Sequence, residues 1–224
     1  MDIPNWNILE ERLSEALGLE RVIRWQKYVK RGEARRENSL QHTYAASLLA
    51  IAVLENERRY SDFDPYLVLK GVIVHDIGEI QTGDTVYMDK SDGVDQQEYC
   101  FFREFMSEFP DSVRGGLEEA YNLQHAGKQW FSKMADRLGQ EATLEFKLFD
   151  AIERLGYVIF AYREYRNGNE KIFVQTLRNQ HPHLVRLAME LPGFGKEFYS
   201  QMIQDSVEAF LKGYEGRYTE QKGE

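Results

Sequence analysis

Apolar residues recur at helical spacing along almost the whole sequence, and no run alternates convincingly with a period of two. The range 39–57 shows this well, because Tyr44 and Leu48 would share one face of a helix. Leu49 belongs to a second apolar face, and a helix that is apolar on two sides is expected to lie between others. The sequence therefore predicts an all-α fold, a compact bundle of helices.

Capping residues, prolines and glycines set the bounds of the predicted helices. Either Asn38 or Ser39 can cap the first long helix. Pro65 suits the first turn of the next one, although the apolar run that leads into His75 could also form a strand. A loop is expected at 81–84. In chain order the predicted helices cover residues 8–17, 22–28, 39–57, 65–75, 94–109, 112–122, 141–166, 170–179, 183–190 and 196–211.

The 224 residues contain no repeat, low-complexity tract or break in composition that would mark a domain boundary. We expect one domain over residues 1–224, with its core in about 17–180 and the C-terminal helices packed on it. A formal net charge of -9 argues against a surface for nucleic acid polymers or anionic membranes, since either needs clustered positive charge. No segment approaches the ~20 apolar residues of a membrane span.

The amino-terminal segment and the cysteine content bear on localisation. Residues 1–17 carry acidic side chains without a basic start or a continuous apolar stretch, so we expect no signal peptide. The single cysteine, Cys100, excludes an internal disulfide and fits a reducing compartment. Cytoplasmic localisation is therefore predicted.

Four polar residues interrupt the apolar pattern, each on or at the end of a predicted helix: His42, His75, Asp76 and Asp150. Isolated charge in such places is costly to bury. Two neutral imidazoles and two carboxylates form a nitrogen and oxygen donor set that suits a divalent metal ion, and a catalytic role is expected for that ion. A lone histidine on an apolar face is more often a core residue, and Asp150 could instead pair with Arg154 one turn later.

The residues after the His75-Asp76 pair are polar where a core should end. Glu79 and Asp84 follow within one short stretch, and glycines stand beside both of them. Such a cluster indicates a cleft, although a solvated turn would have the same composition.

These motifs resemble those of the HD-domain metal-dependent phosphohydrolases. The likeness rests on ENSLQH at 37–42, HDIGE at 75–79 and TGD at 82–84, followed by Asp150. That family carries histidine, histidine-aspartate and aspartate in the same order. The resemblance covers most of the chain and implies a helical HD-domain fold and hydrolase activity.

The pair Arg24-Trp25 upstream of the first histidine, together with the TGD turn, is more narrowly similar to the bacterial 5'-deoxynucleotidase branch. That resemblance implies a phosphomonoesterase acting on nucleoside 5'-monophosphates, deoxy forms in particular. It also implies that Arg24 contacts the phosphate, that Asp84 faces the sugar, and that Trp25 approaches the base or the sugar.

The same resemblance implies a mononuclear metal site. Its ligands would be His42, His75, Asp76 and Asp150, and the ion would be manganese, cobalt, iron, nickel, zinc or magnesium. Asp76 would also count among the catalytic residues. Glu79 would position the metal-bound water or relay a proton for it. Since Glu79 lies four residues after His75, both could face one cleft.

The sequence departs from the nucleotidase pattern after Asp84, where residues 85–90 lack the usual proline. The nucleotide preference is therefore open, and two alternatives remain. One is a phosphodiesterase or pyrophosphohydrolase acting on another nucleotide, and the other is a non-catalytic regulator that binds metal or nucleotide. Ile80 after Glu79 counts against alarmone hydrolases, which usually carry Glu-Asp there, and Glu79 itself favours catalysis.

A homodimer is the protein partner expected from the resemblance, beside a small nucleotide substrate. Aromatic residues at helical spacing are often core, yet those near the TGD turn are predicted here to form the subunit interface. They are Tyr99, Phe101, Phe102 and Phe105.

Three further histidines are not predicted to bind metal. His125 alone lies between the His-Asp pair and Asp150, which is too few histidines for a binuclear site. His181 and His183 flank a proline and are predicted to be surface residues or caps.

Overall fold

The computed structural model describes residues 4–29, 36–85, 90–126 and 143–220. Within these ranges the chain is helical, which confirms the all-α prediction. Extended pairing there is limited to one bridge between Ile23 and Asn38. Among the described residues, no helix combines the length and the apolar character that crossing a bilayer would need.

The described elements are α-helices and two 3-10 turns, Leu17–Arg21 and Leu123–His125, each of which directly follows an α-helix. The α-helices are α1 (Pro4–Ala16), α2 (Gln26–Val29), α3 (Ser39–Glu57), α4 (Pro65–Val74), α5 (Glu79–Thr82), α6 (Asp92–Met106), α7 (Asp111–Asn122), α8 (Leu144–Arg166), α9 (Glu170–Glu190), α10 (Pro192–Glu197) and α11 (Gln201–Glu220).

The helices that carry the predicted ligands start at strong local signals. Asn38 caps α3, because its Oδ1 accepts from the backbone N–H of Gln41 at 2.8 Å while the Gln41 side chain accepts from the Asn38 N–H at 3.2 Å. Asp64 caps α4 ahead of Pro65. Since α4 ends at Val74, the His75-Asp76 pair follows the helix directly, as predicted.

Some predicted boundaries are wrong. The range 22–28 is helical only over α2, because Ile23 is extended and pairs with Asn38. The predicted helices 170–179 and 183–190 form one continuous helix, α9, with Pro182 inside it. Helix 196–211 is interrupted after α10, and the predicted loop at 81–84 begins only after α5. The predicted start at residue 141 lies outside the described residues.

Pro182 does not break α9 because the helix is anchored on both sides of it. Leu177 and Leu184 are buried at 1% and 0% exposure. A proline inside a helix costs about 3 kcal/mol, and burial of two large apolar side chains stabilises by a comparable ~1.5–3 kcal/mol each.

The main core lies between α3, α4, α8 and α9. On α3, the small side chains of Ala46, Ala50 and Val53 are buried and allow close helix contact. On α8, Leu148 and Ile152 are fully buried in the same cluster. This packing fixes α8 beside the two elements that carry the histidines.

A second core lies against α6, and it contains the aromatic residues predicted to form an interface. Phe102 is fully buried and stacks on Tyr121 with ring centroids 3.8 Å apart, and Phe105 is also buried. Tyr99 and Phe101 pack against this cluster as partly buried residues. The interface prediction is therefore wrong for Phe102 and Phe105, whose side chains fill the protein's own interior.

The two histidines near Pro182 differ in environment. His181 is buried, and its Nδ1 lies 2.7 Å from the Tyr199 hydroxyl oxygen, so its predicted surface position is wrong. His183 is exposed, as predicted. Because both lie on α9, helical geometry places them on different faces.

Candidate metal centre

His42 and His75 come from α3 and from the end of α4, and their ring centroids are 5.6 Å apart. The His75 Nδ1 lies 2.8 Å from the Val72 carbonyl oxygen. A carbonyl can only accept, so Nδ1 carries the hydrogen and Nε2 faces the cluster. Backbone geometry at the end of α4 thus selects the ring nitrogen that is presented.

Asp76 stands between this histidine pair and an arginine. Its Oδ1 lies 2.9 Å from His75 Nε2, and its Oδ2 accepts from Arg24 Nη1 at 2.8 Å. One ligand atom from each of His42, His75 and Asp76 lies within 4.8 Å of the others, and all three residues are buried. The structure therefore brings together three of the four predicted ligands in a group that could hold a metal ion.

Glu153 of α8 faces both histidines of this group. Its Oε2 is 3.5 Å from His42 Nε2 and 3.4 Å from His75 Nε2. Neither histidine Nε2 and neither Glu153 oxygen makes an aligned hydrogen bond in the described part of the chain, although all four atoms are buried. Buried polar atoms are normally hydrogen-bonded, so a set of four that face one another indicates a site for a cation.

Asp150 lies outside the group that it was predicted to join. Its Oδ1 is 2.8 Å from Arg154 Nε, and Arg154 Nη1 donates to Gln180 Oε1 at 2.7 Å. In the structure Asp150 forms the alternative ion pair with Arg154, and Glu153 is the residue of α8 that faces the histidines. The signal for Glu153 was present in the sequence as a second acidic residue that interrupts the apolar run 148–155, three residues after Asp150.

The donor separations fit a common metal ion. Two donors that each lie ~2.1 Å from one ion, at angles between octahedral and tetrahedral values, are ~3.0–3.4 Å apart. The measured separations are 2.9 Å from His75 to Asp76 and 3.4 and 3.5 Å from Glu153 to the two histidines. Imidazole and carboxylate donors suit divalent manganese, iron, cobalt, nickel or zinc.

Charge neighbours control the titration of these groups. Burial alone would raise the pKa of Asp76, but the positive charges of His75 and Arg24 outweigh it and hold that pKa well below its ordinary value. Burial likewise raises the pKa of the Glu153 carboxyl, and His75 and His42 reverse the shift so that the pKa is low. The pKa of His75 is raised, because Asp76 and Glu153 overcome the effect of burial. Both carboxylates are therefore ionised at neutral pH.

Glu79 lies beside these residues, and its carboxyl differs from those of Asp76 and Glu153 in its charge state. Burial and the nearby Asp76 raise the pKa of its carboxyl to about 8, so at neutral pH it retains a proton. Ser39 Oγ donates to Glu79 Oε2 at 2.7 Å, and Arg24 Nη1 lies 3.7 Å from the same oxygen. Because Asn38 caps α3, the Ser39 hydroxyl is free to make this contact.

Gly78 lets α6 approach the turn that carries Asp76 and Glu79. A Cβ at this position would meet Glu98 and would lie 2.6 Å from the Tyr121 hydroxyl oxygen. Only glycine leaves room for that approach. Close packing against α6 therefore explains why residue 78 is a glycine, which the sequence alone did not show.

Arg24, Trp25 and Asp84 meet at one side of the candidate centre. Trp25 has a φ of 58°, and its backbone N–H donates to Asp84 Oδ2 at 2.8 Å. The left-handed backbone costs about 1–3 kcal/mol in a non-glycine residue and often marks a functional site. The Trp25 ring stacks on Phe160 with centroids 4.8 Å apart, and the Arg24 guanidinium lies over the Tyr157 ring at 5.9 Å.

The predictions for His125 and for the stretch after the TGD turn concern the surroundings of the site. His125 is buried, contacts the rings of Tyr99 and Tyr121, and does not belong to the group of His42, His75 and Asp76. Residues 86–89, which belong to the stretch after the TGD turn that lacks the usual proline, lie outside the described residues.

Solved structures share this architecture. A protein of Pyrococcus horikoshii has a TM-score of 0.63 at 20% identity, covering 88% of this chain and 96% of its own. A predicted metal-dependent phosphohydrolase from Magnetospirillum magnetotacticum has a TM-score of 0.59 at 17% identity, over 91% and 95% of the two chains. An HD-domain phosphohydrolase from Listeria innocua has a TM-score of 0.60 at 13% identity, over 92% and 99%. At these identities the likeness concerns the fold.

Comparison of sequences gives the family. No curated protein matches the chain. The profile described as HD domain, however, matches residues 19–190, which is most of the sequence and includes every predicted site residue. The chain therefore belongs to the HD-domain family.

Proposed function

We propose that the protein is a metal-dependent phosphohydrolase that releases inorganic phosphate from nucleoside 5'-monophosphates, deoxynucleotides in particular. The observation that carries the proposal is the buried group of His42, His75 and Asp76, which could hold a metal ion, with Glu153 Oε2 3.5 and 3.4 Å from the two histidine Nε2 atoms. Two of the solved structures with this fold are named as phosphohydrolases, which supports the reaction class.

The residues around the group have distinct tasks in this reaction. A bound divalent ion supplies Lewis acidity and an activated water. Val72 holds the His75 ring in one orientation, and Arg24 holds the outer oxygen of Asp76, so both donors are fixed before substrate arrives. Glu79 keeps its proton at neutral pH and is oriented by Ser39, which suits it to relay a proton between water and the leaving oxygen.

Arg24 can serve the substrate as well as Asp76. A guanidinium has five N–H donors, and Arg24 uses Nη1 for Asp76 while its buried Nε makes no hydrogen bond in the described part of the chain. A phosphate oxygen is a strong acceptor for such a charged donor. Asp84 binds the Trp25 backbone through one oxygen and offers its other oxygen to a sugar hydroxyl.

Phosphate release from a panel of ribo- and deoxynucleoside 5'-mono-, di- and triphosphates tests the proposal. Metal-stripped protein is resupplied with manganese, cobalt, magnesium or zinc. Release should occur from monophosphates, should need metal, and should be lost in His75→Ala. His183→Ala, which removes an exposed histidine of α9, is the matched control and should remain active.

Other outcomes separate the alternatives. Turnover of a phosphodiester or of a pyrophosphate in place of monophosphates would replace the phosphomonoesterase by another phosphohydrolase. Tight metal binding without turnover of any phosphoester would favour a non-catalytic regulator.

A further inference from the structure

We propose that Glu153, rather than Asp150, is the carboxylate ligand that α8 supplies to the metal, and that Asp150 braces the helix from outside the site. The inference deepens the proposed function, since it concerns the same centre. It is tested by metal binding and not by turnover, so the two proposals can fail separately.

The face of α8 that meets the histidines is marked by three residues spaced four apart. Phe149 contacts the His75 ring with centroids 5.8 Å apart, and Tyr157 is parallel to the His42 ring within 15° at 6.3 Å. Glu153 lies midway between them on the same face. Its position opposite the two histidines thus follows from contacts on both neighbouring turns.

Asp150 belongs to a different face. A residue one position after Phe149 is rotated by ~100° about the helix axis, which turns Asp150 away from the histidines. There its Oδ1 lies 2.8 Å from Arg154 Nε, and Arg154 is tied in turn to Gln180 of α9. Bringing Asp150 to the histidines would require α8 to rotate and this largely buried ion pair to separate.

The surroundings of the Glu153 carboxylate also favour a metal ligand. Both of its carboxylate oxygens are buried without an aligned hydrogen bond, and the residue is 6% exposed. Asp150, by contrast, lies 2.8 Å from the permanent cation Arg154 of its own helix. A buried anion is costly unless positive charge lies against it, and a metal ion between Glu153 and the two histidine Nε2 atoms would supply that charge.

Metal affinity of isosteric variants tests the assignment. Full-length protein is stripped of metal, and Mn²⁺ and Zn²⁺ are each titrated by calorimetry into the wild type, Glu153→Gln and Asp150→Asn. Glu153→Gln should weaken binding on the order of 100-fold or more, because loss of a ligand exceeds the 10–100-fold effect of an outer residue. Asp150→Asn, three residues earlier on α8, is the matched control and should stay within about threefold of the wild type.

A second variant guards against misfolding. Glu153→Asp keeps the charge but shortens the side chain, so it should weaken metal binding by less than Glu153→Gln while its far-UV circular dichroism matches the wild type. Loss of binding in Asp150→Asn, alone or together with Glu153→Gln, would overturn the assignment. Unchanged binding in Glu153→Gln, or a wild type that binds neither metal, would overturn it too. If metal binds as described but no nucleotide is hydrolysed, the assignment stands and the proposed function fails.

Discussion

Glu153 and Glu57 are both buried glutamates of long helices, α8 and α3, and their carboxylates are in opposite situations. Glu57 Oε2 accepts the backbone N–H of Phe194 at 2.8 Å, and its Oε1 accepts from Ser61 Oγ at 2.9 Å. The two oxygens of Glu153 make no aligned hydrogen bond within the described residues, and one of them faces the histidine pair.

The difference separates a carboxylate that stabilises the fold from one that is proposed to bind a metal. Neutral donors satisfy both carboxylate oxygens of Glu57. Beside it, Asn56 donates to the Gly193 carbonyl at 2.8 Å, so hydrogen bonds tie the end of α3 to the start of α10. The cost of burying the Glu57 carboxylate is offset within the fold. For Glu153 the same cost is offset by neighbouring cationic groups or by a metal, which couples folding to ligand binding.

The largest expected effect is on turnover and separates Glu79 from Glu57. Glu79→Gln should lower kcat by about 10²–10⁴, because the amide cannot relay the proton, while Mn²⁺ affinity stays near that of the wild type. Glu57→Gln removes a buried carboxylate of α3 instead, and kcat of the folded fraction should remain near that of the wild type. Steady-state kinetics and metal titration measure both. Full activity in Glu79→Gln would remove Glu79 from the proton path.

The next largest effect is on the free energy of unfolding, and here Glu57 is the residue whose loss matters. Glu57→Ala should lower the free energy of unfolding by about 2–3 kcal/mol, because it leaves the buried N–H of Phe194 without an acceptor. Mn²⁺ at about 100 times its Kd should still stabilise this variant by about 2.7 kcal/mol, as in the wild type. Urea unfolding with and without Mn²⁺ measures both quantities. If Glu57→Ala abolished the stabilisation by Mn²⁺, the two clusters would not be independent.

Packing around the structural carboxylate gives a related but smaller effect. A Cβ on Gly193 would lie 2.7 Å from Glu57 Oε2 and 2.8 Å from Tyr60 Cδ2. Gly193→Ala should therefore cost about 1–3 kcal/mol of unfolding free energy by overpacking. Gly156→Ala on α8 is the control, since its Cβ would meet nothing within 4 Å and should be neutral or stabilising by up to about 1 kcal/mol. Equal thermal melts for the two variants would contradict the tight contact.

Much of this arrangement is readable from the sequence because its signals are local. The cap at Asn38 and the proline at Pro65 fix two helix starts, and His42, His75 and Asp76 stand out as polar residues in apolar surroundings. The homodimer and the cytoplasmic location stay predictions.

The remaining features depend on tertiary packing. Asp150 and Glu153 both interrupt an apolar run, and spacing alone does not tell which of them faces the histidines. That choice is made by the rotation of α8, which its contacts with α3, α4 and α9 determine. The same holds for Pro182, since burial on both sides of it overrides its tendency to end a helix. Local rules fail where long-range contacts outweigh them.

The smallest expected effect concerns Asp84, which resembles Glu57 in structure and Glu153 in location. It accepts the Trp25 N–H like a structural carboxylate, yet it lies at the candidate substrate side. Asp84→Ala should raise KM for deoxynucleoside 5'-monophosphates about tenfold, with a smaller change in kcat, because both the backbone tie and the sugar acceptor are lost. Asp62→Ala, which removes an exposed carboxylate between α3 and α4, is the control and should leave KM unchanged.

Asp84→Asn separates the two roles, because an amide oxygen can still accept from the Trp25 N–H while the charge is gone. If Asp84→Asn has a wild-type KM, the hydrogen bond to the Trp25 N–H determines KM, and Asp84 acts by positioning Trp25. If Asn behaves like Ala and the deoxy-to-ribo ratio of kcat/KM falls in both, the carboxylate itself reads the sugar. An unchanged KM and ratio in Asp84→Ala would instead place Asp84 with Glu57, as a carboxylate that serves the fold alone.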